Sequence, residues 1–270
     1  MFRITVIMGI YNCASTLVEA LDSLYAQTYK NFKIVLCDDG STDETYEVAK
    51  NYARNKDNII LIKNDKNLKL AATLNHCLKY ADTEYVARMD GDDISLPERF
   101  EKEIEFLDSH QEYAIVSCPM IYFDDNGEFG RGTRYGEPKA EDLVIGPLYC
   151  HAPCMVRTEA YRKVGGYTDE KRLYRYEDYN LWMKMCMEGY RGYNIEECLY
   201  AMRDDRHAAK RRTFSSCMNG IYAHWLAYRL LHLSTKKFLR YVINAIIKGC
   251  VPRFVYNYIH KRRWSNTVRK

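Results

Sequence analysis

The sequence predicts an α/β protein in which a mostly parallel central sheet is flanked by helices, and three observations predict it. Short, β-branched apolar runs alternate with stretches whose apolar residues recur at helical spacing, the pattern of a doubly wound sheet. Polar residues collect just after each run: Tyr11 and Asn12, Asp38 and Asp39, Asn64 and Asp65, Asp90 to Asp93. In a parallel sheet those loops share the carboxyl edge, where such folds bind ligands. The 270 residues are 47% apolar and 28% charged, enough for one large α/β domain with an appendage or for two small domains, and too apolar for wholesale disorder.

Ile4–Met8 is the first expected strand, and Gly9-Ile10-Tyr11-Asn12 is a loop. Ser15 is placed to cap a helix in which Leu17, Val18, Leu21, Leu24 and Tyr25 follow helical spacing. Lys33–Cys37 is a second strand, ending at Asp38-Asp39-Gly40-Ser41. Ser41-Thr42-Asp43-Glu44 fits a capping box for the helix continued by Tyr46, Val48, Ala49 and Tyr52. Ile59–Ile62 is a third strand, Leu70–Tyr80 a helix, Tyr85–Met89 a fourth strand and Pro97 to His110 another helix. Tyr113–Phe123 is strand-like and leads to a turn at Asp124-Asp125-Asn126-Gly127. Residues 128–150 receive no assignment. Met155–Tyr161 passes from strand to helix, Val164-Gly165-Gly166-Tyr167 is a loop, Tyr179 to Cys186 suits a buried helix ended by Gly189, and Tyr193–Tyr200 is a further strand.

Charge divides the chain unevenly. Residues 1–205 hold 25 Lys+Arg against 36 Asp+Glu, a net −11, and residues 206–270 hold 15 Lys+Arg and no acid, a net +15. In that tail, Lys210-Arg211-Arg212, Lys236-Lys237, Arg240 and Lys261-Arg262-Arg263 interleave with Trp225, Leu226, Leu230, Leu231 and the run Tyr241 to Ile247. Such a segment suits a basic amphipathic helix on an anionic membrane surface; the competing reading is a helical appendage packed on the body or on a second subunit. An oligomer is left open. Nucleic acid is not expected, because the adjoining body is acidic and no DNA- or RNA-binding motif is present. The N-terminus has no signal-peptide pattern, no apolar run approaches the ~20 residues of a membrane helix, and the ten cysteines form no CxxC pair. Reduced thiols and a cytoplasmic, peripheral location are expected.

Asp90-Gly91-Asp92-Asp93 packs three carboxylates into four residues, which repel one another unless a cation or a hydrogen-bond cage holds them. A calcium loop is excluded, since Ile94 and Ser95 stand at its fifth and sixth positions, where the sixth should be glycine. Taken alone, Asp38-Asp39-Gly40-Ser41 is a turn and Glu177-Asp178 a helix start favoured by the helix dipole. Their order is more specific. Tyr11-Asn12, Ser23 to Tyr29, Asp38 to Asp43, Asn67 and Asn75, Met89 to Asp93, Val164 to Tyr167 and Glu177 to Trp182 together resemble the family 2 inverting glycosyltransferases of the GT-A fold, of the bacterial O-antigen, capsule and exopolysaccharide type. The resemblance covers roughly residues 2–205.

That resemblance implies a GT-A, Rossmann-like catalytic domain over 1–205, with a nucleotide-sugar half at 1–95 and an acceptor half at 96–205, followed by the tail at 206–270. It implies that Tyr11 stacks on the nucleotide base and Asp39 hydrogen-bonds it. Asp90 and Asp92 match the DxD motif that holds a divalent cation, Mn²⁺ or Mg²⁺, on the donor diphosphate, and Asp178 matches the catalytic base. By its own position, apart from the resemblance, Arg88 is either a neutraliser of phosphate or the nearby carboxylates or a solvated arginine. His151, in Tyr149-Cys150-His151-Ala152-Pro153, is open between acceptor contact and burial. Glu177 is expected to orient or cap, Trp182 to support the site from the core, and Asp93 to cap the next helix or bond the donor sugar. Arg203 and His207 fall near an Arg-x-His stretch of the family, with a longer spacing. Lys69 and Gly9 depart from the family's usual glycine and proline. The implied partners are a nucleotide-sugar, UDP-linked, and a polyprenyl-diphosphate-linked saccharide acceptor at the inner membrane face.

The residue types suit the chemistry. Glycosyl transfer breaks an anomeric carbon–diphosphate bond; a hard cation on oxygen ligands stabilises the charge gathered by the leaving diphosphate. A positioned carboxylate removes the acceptor's proton from the opposite face. Two rivals are a sugar nucleotidyltransferase, which needs a basic Gly-rich N-terminal loop that Gly9-Ile10-Tyr11-Asn12 does not supply, and a non-catalytic glycan-binding scaffold, at odds with Asp39, Asp90, Asp92 and Asp178 occurring together.

Overall fold

Strands buried on both faces need largely apolar runs, and such runs form β1 (Ile4–Ile10), β2 (Phe32–Asp38) and β4 (Tyr85–Arg88), while β3 (Ile59–Lys63) is a half-buried edge strand. Between them stand α1 (Leu17–Tyr25), α2 (Thr45–Ala53) and α3 (Leu70–Leu78). β2 lies parallel to β1 and β3, and β4 is parallel to β1 on its other side. This computed structural model describes residues 1–203 and 214–250. His207, Lys210-Arg211-Arg212 and Lys261-Arg262-Arg263 therefore lie outside the described residues.

Beyond β4 follow β5 (Ile94–Ser95), α4 (Arg99–Ser109), β6 (Ile115–Ser117), β7 (Met120–Asp124), β8 (Gly127–Arg131), β9 (Met155–Arg157), α5 (Thr158–Lys163), α6 (Glu177–Met187), β10 (Gly192–Asn194) and β11 (Tyr200–Arg203). The tail contributes α7 (Phe214–Leu230) and α8 (Thr235–Cys250). The main sheet has seven strands in the order β10-β6-β9-β4-β1-β2-β3, and a four-stranded sheet runs β5-β11-β7-β8. β9 is antiparallel to both β4 and β6. Side chains alternate along the strands, so Ile7, Val35 and Val86 face a core shared with α3, α6 and α7, and Val6, Ile34 and Ala87 face one shared with α1 and α4.

The expected architecture holds, and four local expectations do not. Tyr113–Phe123 splits into β6 and β7 around Pro119, which has no N–H to give a ladder. Tyr193–Tyr200 likewise ends as β10 and restarts as β11 in the other sheet. Ser15 does not cap α1, which begins after Thr16, and Ser41 to Glu44 form no capping box. Their polar groups are used across the sheet edge instead: Ser41 Oγ accepts from Asn12 N–H (3.1 Å), Asp43 Oδ2 accepts from Ala14 N–H (3.3 Å), and Thr42 N–H donates to Asn12 Oδ1 (2.9 Å). α7 buries Ala223, His224 and Ala227, with Tyr222, Leu226 and Tyr228 partly buried against the core, and leaves Trp225 and Leu230 exposed. No helix among the described residues is long and apolar enough to cross a membrane, and the cysteines whose side chains are described are free thiols.

Candidate active site

Register fixes what meets at the carboxyl edge. Ile10, Asp38 and Lys63 stand level across β1, β2 and β3, and Arg88 stands level with Ile7. The loops after these strands therefore bring Tyr11, Asp39, Asn64 and Asp90 to one rim.

Asp39 is buried, and its N–H donates to Ile10 O (2.8 Å). Its carboxylate accepts from Asn64 Nδ2 (2.9 Å), Leu68 N–H (2.7 Å) and Lys69 N–H (3.0 Å). Of roughly four lone-pair positions on a carboxylate, one is left for a ligand. Tyr11, beside it, is 45% exposed, so a face of its ring is open to stacking. Lys69, whose N–H reaches Asp39, stands at φ 75°, ψ 166°, a region essentially reserved for glycine, which gives a physical reason for the glycine that the resemblance implies there. Lys69→Gly is expected to relieve ~1–3 kcal/mol of strain against ~0.4–1 kcal/mol of added unfolded-chain entropy. A net gain of about 1 kcal/mol should raise Tm by roughly 2–4 °C; an unchanged or lower Tm by calorimetry refutes the strain.

Past β4, carboxylate oxygens of Asp90, Asp92 and Asp93 lie within 4.8 Å of one another. Gly91 sits between them because a methyl group there would come within 2.9 Å of Cys13 Sγ and 3.1 Å of Ile10 Cγ2; the tight approach presses the acidic loop onto the end of β1. Arg88 is buried and ion-paired to Asp90. Burial disfavours its charge, but Asp90 with neighbouring phenols and a thiol outweighs that and moves its pKa up. Asp93 is buried too. Its carboxylate accepts from Tyr200 Oη (2.9 Å) and Arg203 N–H (2.9 Å); burial, then Asp90 and Asp92, push its pKa well above the usual range. The expectation that Asp93 caps the next helix is therefore corrected: it ties the loop to β11. Arg203 reinforces the tie through Nε to Asp92 O (3.1 Å) and Nη2 to Glu19 Oε2 (2.5 Å).

Asp178 occupies the first turn of α6 and is partly buried. Burial first, and the Glu177 charge, raise its carboxyl to about 6, while the Tyr179 N–H and the Arg88 charge pull it down. Glu177 is buried beside it. Arg88 thus acts on both the acidic loop and Asp178. It also acts on His151, whose pKa burial and the Arg88 charge hold well below the ordinary value. His151 Nε2 lies 2.8 Å from Tyr167 Oη, and its ring stands edge-on to Tyr167 and Trp182. Trp182 is fully buried, so it backs His151 and cannot itself touch an acceptor.

Sequence reasoning passed over two contributors, Tyr200 and Arg99, and quoted Asn75 in the motif series without giving it a role. Tyr200 Oη both bonds Asp93 and accepts the Asp90 N–H (3.2 Å). Arg99, paired with Glu103 in full burial, donates through Nη2 to Arg88 O (3.0 Å). Asn75 clamps Tyr167 by its N–H and carbonyl (both 2.8 Å), and so holds the partner of His151. A tyrosine closing a buried run is the one signal available, since its hydroxyl needs a partner.

Three carboxylates this close, one of them buried, suit a hard divalent cation on oxygen ligands. Asp90 and Asp92 would hold it, and it would stabilise charge on a departing diphosphate.

A family model described as Glycosyl transferase family 2 matches residues 5–165. EpsE of Bacillus subtilis (strain 168), named as a glycosyltransferase, is 42% identical over 98% of this chain and 95% of its own. The Escherichia coli UDP-Gal:α-D-GlcNAc-diphosphoundecaprenol β-1,3-galactosyltransferase is 30% identical over 96% of both chains. Among solved structures, TarS 1–349 of S. aureus in complex with UDP-GlcNAc superposes with a TM-score of 0.71 at 20% identity, over 91% of this chain and 72% of that one. The fold is thus the one the resemblance implies.

Proposed function

We propose, from the premise that this chain belongs to glycosyl transferase family 2, that it moves a sugar from a UDP-linked donor to a saccharide carried on a polyprenyl diphosphate, with inversion at the anomeric carbon. The reading is that of surface-polysaccharide assembly at the cytoplasmic face of the membrane, with Mn²⁺ or Mg²⁺ on the donor diphosphate. The observation that carries it is the pairing of an acidic cluster at the end of β4 with a separate, desolvated carboxyl on α6, both under the charge of Arg88. The donor and acceptor named for the E. coli relative support the substrate class.

In this reading Tyr11 stacks on the base, and the remaining lone pair of Asp39 takes its N–H. Asp90 and Asp92 would hold a divalent cation, which would supply positive charge to the leaving diphosphate, and Tyr200, Asp93 and Arg203 keep that loop in place. The acceptor oxygen attacks the anomeric carbon as the bond to diphosphate breaks. UDP leaves with the bonding electrons, and the acceptor proton passes to Asp178. Attack opposite the leaving group inverts the centre. A carboxyl at about 6 is ionised at neutral pH and still basic enough to take that proton. His151, backed by Trp182 and held by Tyr167, lines the acceptor side as a neutral ring.

Purified protein with Mn²⁺, a panel of UDP-sugars and a short-chain polyprenyl-diphosphate GlcNAc is expected to release UDP and extend the acceptor with one donor. Absence of UDP binding, together with no transfer from any UDP- or dTDP-sugar, sinks the reading.

The lipid carrier brings the acceptor to a membrane, and α8 supports docking there. Leu239, Ile243 and Ile246 recur at helical spacing and are each more than half exposed, with Lys236 and Arg240 alongside them. Leu239→Glu/Ile243→Glu is expected to lower co-sedimentation with phosphatidylglycerol vesicles at least tenfold and to leave transfer to a water-soluble acceptor unchanged. Equal sedimentation of variant and wild type rejects α8 as the contact.

A further inference from the structure

We propose that the C-terminal helices complete the catalytic wall: a column of aromatic rings running from α8 through α7 to α6 positions Asp178, with His224 as its central positioning residue. The proposal rests on Asp178 being the base.

Tyr241 of α8 stacks on His224 of α7 (centroids 3.4 Å, interplanar 12°), and His224 stacks on Tyr179 of α6 (4.4 Å, 29°). Tyr176 closes the column edge-on to both His224 (6.3 Å) and Tyr179 (6.4 Å). Tyr176 and Tyr179 flank Asp178 in sequence, and they straddle the start of α6. That start has no side-chain cap and follows Arg175, held at φ 73°. A helix terminus without a cap leaves its first turn free to fray, so packing must hold it.

The packing leaves no slack. A methyl group on Gly220 would overlap the Tyr176 hydroxyl and approach Tyr241 Oη to 2.9 Å. Asn219 Nδ2 donates to Lys171 O (3.3 Å) and Tyr174 O (3.2 Å), stitching the loop before α6 to α7. Tyr179 Oη donates to Leu143 O (2.8 Å). His224 is buried, its Nδ1 lies 2.9 Å from Gly220 O, and its Nε2 has no hydrogen-bond partner. Burial lowers its pKa to about 4, so at neutral pH it is an uncharged ring and a spacer. All of α7 and α8 lies beyond the residues 5–165 matched by the family model. The support of the base therefore comes from a part of the chain that charge alone marks as an appendage.

The test compares His224→Ala, His224→Phe and Tyr241→Leu with wild type in kcat, KM for UDP-sugar and the pH profile of kcat. Loss of the ring loosens the first turn of α6 and lets more water around Asp178, which is only partly buried in the wild type. His224→Ala and Tyr241→Leu are then expected to lower kcat at least tenfold, keep KM within about twofold, and move the acid limb of kcat from about 6 toward the ordinary carboxylate range. His224→Phe retains the stack and should retain kcat and the limb. If His224→Ala does not fold, the less buried Tyr241→Leu carries the comparison. A folded His224→Ala or Tyr241→Leu with wild-type kcat and limb overturns the proposal, as does a His224→Phe as impaired as the alanine variant. Asp178→Asn assayed alongside separates the two readings: if it stays active the base assignment fails, and if it is dead while the column variants are normal only the positioning fails.

Discussion

Asp178→Asn is expected to reduce kcat by about 10²–10⁴-fold, the usual worth of a positioned general base, while UDP and Mn²⁺ bind as in wild type. The amide keeps the shape and the burial and removes only the basic oxygen. The wild-type acid limb of kcat should stand near 6, with activity rising as pH rises through it and Asp178 ionises. Glu177 and Arg88 are the charged groups that act on this carboxyl, and the neutral Cys150 thiol and Tyr167 phenol stand near enough for its charge to raise their pKa values; Asp178→Asn removes the limb if Asp178 owns it.

The same substitution should stabilise the fold. The folded-state pKa lies above the unfolded 3.8, so the native chain holds this proton more tightly. That contribution is fully present below about pH 4 and is lost as pH rises through about 6. At pH 7.5 the ionised carboxylate costs on the order of 2–3 kcal/mol, at ~1.4 kcal/mol per pKa unit. Asp178→Asn should therefore gain Tm at pH 7.5 and roughly half as much at pH 5. Lost UDP binding together with a lower Tm would mark Asp178 as structural.

The nucleotide half of the sheet was legible because parallel strands buried on both faces are largely apolar runs, and a strand's end followed by carboxylates names its own edge. Asp39 and Asp90 follow from that logic, whereas Asp178, on a helix, is singled out only by the order of motifs and the resemblance it carries. What was hidden depends on contacts far apart in the chain. Tyr200 looks like core until its hydroxyl is seen between Asp90 and Asp93. Arg99 and Glu103 look like a solvated helix pair, yet both are fully buried beneath Arg88. In α7 the fully buried surface is built from Gly220, Ala223, His224 and Ala227, small or polar residues that carry little hydrophobic signal, with Tyr222, Leu226 and Tyr228 partly buried beside them and Trp225 and Leu230 outside. Even Lys69, a departure from the family's glycine, was visible as an anomaly whose cause only the backbone angle reveals.

Asp92→Ala is the second large expected effect, and it separates two accounts of the acidic loop. If the cluster exists to bind a cation, removing one ligand should weaken Mn²⁺-dependent UDP binding at least tenfold, about 1.4 kcal/mol. The added Tm that Mn²⁺ with UDP gives wild type should shrink accordingly, since a ligand stabilises by RT ln(1 + [L]/Kd). If the loop is instead a self-contained structural knot, the hydrogen bonds of Asp93 to Tyr200 and Arg203 already hold it. Asp92→Ala would then leave nucleotide binding and its metal dependence untouched. Asp92 is the informative position because its side chain is exposed while Asp93 is buried, so truncation opens no cavity. Asp93→Ala would confound both accounts by cutting the loop from β11. A calorimetric titration of UDP into wild type and Asp92→Ala, with Mn²⁺ and with EDTA, distinguishes them. Equal affinities in Mn²⁺ for the two proteins would remove Asp92 from the metal site and leave Asp90, already paired with Arg88, as the only candidate ligand of the motif.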